Sequence, residues 1–247
     1  MSQSLDLREF YEDYYNDDVA MKRAISAEQT VDFIVALNSG SSLGSVLDVG
    51  AGDGSVLAEI ERRALAETLS AVEISGSGIE RIKGRNLKTL RSIQSFDGYH
   101  LPFLDNSFDT VLVAHVLEHV EHERMFLKEI SRVARRCYLE VPLEHTFRLQ
   151  RSIQSGKQYG HINYYTMRTF INLVETAGLV PVAARIFSSS RAYEIFLSGR
   201  PLGSLKHLIR STALRIAPGL APSISVYIGG LICERQPTGG DPRNGQA

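Results

Sequence analysis

The chain has 247 residues, 43% of them hydrophobic and 22% charged, which is ordinary globular usage and excludes disordered, collagen-like and disulfide-scaffold classes. Lys plus Arg number 27 against 28 Asp plus Glu, a net charge of −1, so the chain is not a uniformly basic nucleic-acid binder. The two cysteines, Cys137 and Cys233, sit in apolar β-like runs and read as buried thiols of a reducing compartment.

The acidic N-terminus lacks the apolar core of a secretory signal. Ile216 to Cys233 is uncharged, yet its prolines, glycines and the alternation Ser225-Val226-Tyr227-Ile228 fit a strand better than a membrane helix. A cytoplasmic protein is expected.

Residues 1–40 are acidic and helical in pattern, with Tyr11, Tyr14 and Tyr15 clustered near the start, either as part of a lid segment or as interfacial aromatics packing a helix on the sheet. From Ser45 strands and helices alternate. Strands are expected at Ser45–Gly50, Leu69–Ile74, Thr89–Ile93, Phe108–Ala114 and Arg136–Val141, the last ended by Pro142. Helices are expected from Ser55, after Ser75, and over His115–Arg135, where Leu117, Val120, Phe126, Leu127, Ile130 and Val133 share a face. Glu144–Tyr165 reads as a long functional loop. A helix at Met167–Ala177 and a strand at Leu179–Phe187 follow. Residues 188–222 read as a helical insert before a last strand, Ser223–Arg235, and residues 236–247 as a disordered tail. The alternation predicts an α/β, Rossmann-like, doubly wound and mostly parallel sheet, covering residues 41–235.

The first strand runs into Asp48-Val49-Gly50-Ala51-Gly52-Asp53-Gly54-Ser55. A glycine-rich turn from strand to helix offers free amides at the carboxyl edge of a parallel sheet. Glycines at the first, third and fifth positions differ from the dinucleotide fingerprint, which needs the sixth, here Ser55. No Gly-Lys-Ser/Thr follows, so a P-loop is excluded. Asp48 inside the strand would repel a pyrophosphate and welcome a cation. Glu73, nineteen residues after Gly54, ends the second strand and is placed to accept from two ribose hydroxyls. Asp97-Gly98 follows the third strand, where a carboxylate can accept an adenine amine.

Together with Leu101-Pro102-Phe103-Leu104-Asp105-Asn106-Ser107-Phe108-Asp109 and Leu117-Glu118-His119, these residues resemble the class I S-adenosylmethionine-dependent methyltransferases. The likeness is nearest to the subgroup of the ubiquinone and menaquinone pathway methyltransferases and covers residues 45–187, Gly160–Thr166 included. It implies a seven-stranded sheet with an antiparallel last strand and S-adenosylmethionine as cofactor. Gly50, Ala51 and Gly52 would line its methionine end, and Asp48 would hold its ammonium directly or through water. Glu73 and Ile74 would take the ribose, Asp97 and Gly98 the adenine, and His115 the methionyl portion.

His115, Glu118, His119 and His122 crowd one helix start, with His115/His119 and Glu118/His122 each four apart. Some relatives carry Glu-x-x-Glu-His here and bind a divalent ion. With His115 in place of the first Glu, no metal is expected, and Glu118 and His119 read as helix-start and packing residues. His161, in the long loop, is the candidate general base, with loop anchoring or substrate positioning as its alternative role.

Leu202, Leu205, Ile209, Ala213 and Ile216 form an apolar stripe with Lys206, His207 and Arg210 off it. From Gly199 onward six basic residues face only Glu234 and Asp241, whereas residues 1–35 hold three basic residues against eight acids. Segment 202–216 therefore reads as a pocket cover or homodimer contact, with an anionic membrane surface as the alternative. The expected activity is methyl transfer to a small-molecule or glycan/lipid acceptor at oxygen, with no nucleic-acid partner. The rivals are a regulatory or scaffolding protein of the same fold and a nicotinamide-dependent dehydrogenase.

Overall fold

Successive residues of a strand point to opposite faces, and the core divides on that rule. Leu47, Val49, Val111, Val113, Leu139 and Val141 join one buried cluster, whereas Val46, Leu112 and Tyr138 join another. A computed structural model describes residues 17–236 and builds both clusters around one sheet. The tyrosines at 11, 14 and 15 and residues 237–247 lie outside the described residues.

The strands are β1 (Ser45–Val49), β2 (Thr68–Glu73), β3 (Leu90–Ser95), β4 (Phe108–Ala114), β5 (Ala134–Leu143), β6 (Leu179–Phe187) and β7 (Tyr227–Arg235). Their order is β3-β2-β1-β4-β5-β7-β6, with β7 antiparallel to both neighbours. Helices α1 (Asp17–Asn38), α2 (Ser55–Arg62) and α3 (Gly76–Gly84) cover one face through Ile34, Leu57, Ile60 and Ile82. Helices α4 (Glu123–Val133) and α6 (Met167–Thr176) cover the other through Phe126, Ile130, Phe170 and Val174. The chain winds outward from β1 to β3, then returns to β4. The crevice at the β1/β4 switch point is where open α/β sheets bind ligands.

Four expectations are corrected. The helix expected over His115–Arg135 is broken: His115 is left-handed (φ 57°), Leu117–His119 is a 3-10 turn, and α4 starts at Glu123. The Glu118 carbonyl accepts the amides of Ile162 (2.8 Å) and Asn163 (3.0 Å), so no helical amide takes it. Asn163 Nδ2 also donates to the Leu117 and Val120 carbonyls. Secondly, Pro142 does not end β5. Glu140 accepts the His115 amide on the β4 side, and Pro142, two residues on, faces that side beyond the end of β4, where no ladder bond is lost. Thirdly, the 144–165 loop contains α5 (Leu149–Gly156) and a 3-10 turn, Lys157–Tyr159. Tyr164 closes on Gly156 and its hydroxyl donates to the His161 carbonyl, folding the segment onto itself. Lastly, a short helix α9 (Ala221–Ile224) occupies the expected start of the last strand.

The insert is helical as expected, with α7 (Arg191–Ser198) and α8 (Arg200–Ile216). Gly203 lets the two touch, since a Cβ there would lie 2.4 Å from the Glu194 carbonyl oxygen. Among the described residues no helix is long and apolar enough to cross a membrane. Cys137 and Cys233 are buried free thiols, paired in register across β5 and β7.

Candidate active site

The turn after β1 requires its glycines. Gly50, Gly52 and Gly54 have φ of 73°, 59° and 74°, and a Cβ on Gly50 would meet Val116 Cγ2 at 2.7 Å. Glu73, buried at the end of β2, holds this turn. Its Oε2 accepts the Gly52 amide (2.8 Å), and its Oε1 accepts the Ser75 amide (3.1 Å) and hydroxyl (2.9 Å). A carboxylate has about four acceptor positions, so room remains for a ligand hydroxyl. Asp53 anchors the far side of the turn. It is ion-paired to Arg23 of α1 (3.0 Å) and to Arg85 (3.1 Å). Burial would raise the Asp53 pKa, but these cations and the Ser55 hydroxyl outweigh it and hold it low.

Asp48 lies buried beneath the turn. Burial first, then the nearby Glu73 charge, push its pKa from 3.8 up to about 7, against the pull of Arg23. A carboxyl with a raised folded pKa contributes stability below its unfolded value and loses it as pH rises through the folded one. Asp48→Asn, which never ionises, is therefore expected to match the wild-type melting temperature near about pH 4 and exceed it by several degrees near about pH 8. Thermal unfolding across that range checks this; a constant difference would refute it.

A cavity of about 1630 Å³ opens along the carboxyl edge of the sheet. Gly50, Glu73, Ile74, Asp97, Gly98 and His115 line it, as does His161. Asp48, Ala51 and Gly52 stand behind that wall rather than in it. The Asp97 carboxylate is partly engaged already: Oδ1 accepts the amides of Tyr99 and His100, and Oδ2 meets His100 Nδ1 at 2.6 Å. Those hydrogen bonds, that to His100 foremost, hold its pKa down at about 2.

His115 bridges two buried acids, with Nδ1 3.2 Å from Glu118 Oε1 and Nε2 2.9 Å from Glu140 Oε1. Burial opposes its charge, but the bonds to Glu118 and then Glu140 outweigh it and lift its pKa to about 10. Glu140 is fully buried and also accepts from Thr30 Oγ1 (2.9 Å) and the Tyr138 hydroxyl, tying α1 to β5.

His161 presents Nδ1 to Glu144 Oε2 at 2.7 Å, and its ring packs against His119 at 4.9 Å, nearly perpendicular. His119 Nδ1 bonds the Gly160 carbonyl (3.1 Å), and burial lowers its pKa. The fold thus brings His161 beside Glu118 and His119, with one possible ligand atom from each within 4.8 Å. The i, i+4 pairings of the sequence are not formed this way: His115 turns to Glu118 and Glu140, and His122 precedes α4 with its amide bonded to the Tyr99 hydroxyl (3.1 Å). Sequence reasoning missed Glu140 and Glu144. Their signal was present, since both are acids in or just beyond the apolar run Cys137–Leu143.

Residues 47–136 match the methyltransferase domain family. The ubiquinone/menaquinone biosynthesis C-methyltransferase UbiE of Desulfotalea psychrophila is 30% identical over 101 residues, 41% of each chain. Norajmaline N-methyltransferase of Rauvolfia serpentina is 32% identical over 95 residues, 36% of this chain and 32% of that one. The chain spans between 32% and 56% of the lengths of the curated relatives it matches. Geranyl diphosphate C-methyltransferase from Streptomyces coelicolor, solved with Mg²⁺, geranyl-S-thiolodiphosphate and S-adenosyl-L-homocysteine, superposes with a TM-score of 0.60 at 16% identity, over 84% of this chain and 76% of that one. The [4+2]-cyclase SpnF superposes equally well (0.60, 16%, over 86% and 81%), so this likeness shows the fold alone. The domain match, the glycine turn, the acidic end of β2 and the sheet order thus lie together on one chain, which carries a methyltransferase domain over residues 47–136 on a Rossmann-like, seven-stranded methyltransferase fold.

Proposed function

We propose that the chain transfers a methyl group from S-adenosylmethionine to the oxygen of an acceptor bound in the large cavity. The observation that carries this reading is one continuous cavity joining the glycine turn and Glu73 to His161 and the helices of the insert. When bound, the cofactor supplies a methyl on a sulfonium, an excellent leaving group. The chain's own residues need only hold donor and acceptor in line and exclude water. Glu73 accepts ribose hydroxyls, and Gly50 lets the backbone approach the methionine end. Asp97 and Gly98 border the adenine.

His161 is the proposed base. Glu144 fixes Nδ1, leaving Nε2 as the atom that takes the acceptor's proton. The cofactor half of this reading is tested by calorimetric titration of S-adenosylhomocysteine into the wild type, which is expected to bind with micromolar affinity; no binding would sink it. The base is tested on a panel of phenol and alcohol acceptors. His161→Ala is expected to lower kcat by about 10²–10³-fold with KM little changed, and to abolish the acid limb of the pH–rate profile. Glu144→Gln should cost less in kcat and shift that limb. An unaltered pH profile in His161→Ala would assign His161 to loop anchoring instead.

A further inference from the structure

We propose that the outer face of α8 docks on an anionic bilayer, and that the acceptor is an amphiphile reaching the cavity from that bilayer. The second part rests on the methyltransferase reading above; the docking does not.

Helix α8 is amphipathic the wrong way round for a helix surrounded by water. Gly203, His207 and Arg210 face inward, and so do Ala213, expected in the apolar stripe, and Leu214, which pack on the core. Gly203 packs on the Glu194 backbone, His207 Nδ1 bonds the Ser189 carbonyl (2.9 Å), and Arg210 pairs with buried Glu194 (3.0 Å) and donates to the Val226 carbonyl. Leu202, Leu205, Leu208, Ile209 and Ile216 face outward, 50–77% exposed. The patch extends through Leu220 and Ile224 to Phe147, itself 78% exposed, whose amide bonds the Ser223 carbonyl at 2.7 Å. So broad an exposed apolar patch marks an interaction site.

Charge selects the occupant. Helix α8 carries Arg200, Lys206, Arg210 and Arg215 and no acid. Arg200, Lys206 and Arg215 are exposed, as are Arg148 and Arg151 following Phe147. A second copy docked by the same face would set these cations against each other with no acid to answer them. An anionic bilayer answers both the apolar stripe and its basic flanks. The cavity meets this face, because Leu197, Lys206 and Ile209 also line it. An apolar tail can stay in the interface while the head enters the cavity.

Vesicle co-sedimentation of the full chain tests this. Binding is expected to phosphatidylcholine vesicles containing phosphatidylglycerol, and weakly or not at all to phosphatidylcholine alone. The variant L205Q/L208Q/I216Q and the separate variant R200E/R215E should each lose at least about tenfold in partitioning. Both should keep wild-type S-adenosylhomocysteine affinity, which also reports that they fold. Absence of wild-type sedimentation, or sedimentation unchanged in both variants, overturns the docking. So does a wild-type dimer in sedimentation velocity that L205Q/L208Q/I216Q converts to monomer, which would assign the face to a second copy. Failure of the wild type to bind S-adenosylhomocysteine sinks the methyltransferase reading while leaving the vesicle result to stand or fall separately.

Discussion

Glu73→Ala is expected to weaken S-adenosylhomocysteine binding about a hundredfold or more, and to lower the melting temperature as well. The carboxylate does two jobs in one buried position. It faces the cavity, and it accepts three bonds from the Gly52 amide and from Ser75. Removing it leaves those donors without their acceptor in a dry site, at about 1–3 kcal/mol each where water cannot replace it. The glycine turn and the start of α3 then lose their common anchor, and a ligand must reorder them on binding. A hundredfold loss corresponds to about 2.7 kcal/mol, within reach of one such group. Glu73→Gln should fall between, because its amide NH₂ opposes donors where the carboxylate accepted them. Calorimetry on all three proteins decides this; alanine binding within about threefold of wild type would remove Glu73 from the cofactor site.

His115→Ala is expected to destabilise the fold by about 2–4 kcal/mol near neutral pH. Glu118 and Glu140 are 1% and 0% exposed, and the His115 cation lies between them. Breaking a buried pair by removing one partner costs about 3–5 kcal/mol; the lower figure here allows for screening, because the imidazole is 40% exposed. The sign with pH follows from its raised pKa. The contribution of His115 is fully present below 6.5 and lost as pH rises through about 10. The deficit of the variant should therefore shrink in alkali as the wild type loses its proton. Urea unfolding of both proteins at acid, neutral and alkaline pH tests this; a pH-independent deficit would mean that His115 acts by packing alone.

Much of the site was legible because its requirements are local. A left-handed turn needs glycine at three set positions, so Gly50, Gly52 and Gly54 announce it. A strand that must hold a turn from beneath ends in an acid, and Glu73 stands there. Strand periodicity likewise exposes the sheet, because Val46 and Leu47 must part to opposite faces. Asp48 lies inside β1 as the sequence reading placed it, but its burial behind the cavity wall is a matter of packing.

What periodicity could not convey was which polar groups meet across the chain. The apolar face of His115–Arg135 suits a helix, but the Glu118 carbonyl is claimed by loop amides more than forty residues away, and the helix breaks. For the same reason His161 pairs with Glu144 and approaches Glu118 and His119 only in the fold. The stripe on α8 was visible, but not its direction. A helix with both an apolar and a polar face can bury either. Gly203 and the Arg210–Glu194 pair turn the polar face inward. The sequence by itself thus determined the sheet and the glycine turn, which depend on backbone sterics and on neighbours in the chain, while the cofactor class came from the family resemblance its motifs carry. Only the tertiary structure decided the charge network around His115, the partner of His161 and the outward apolar face of α8, because each depends on long-range contacts that balance desolvation against pairing.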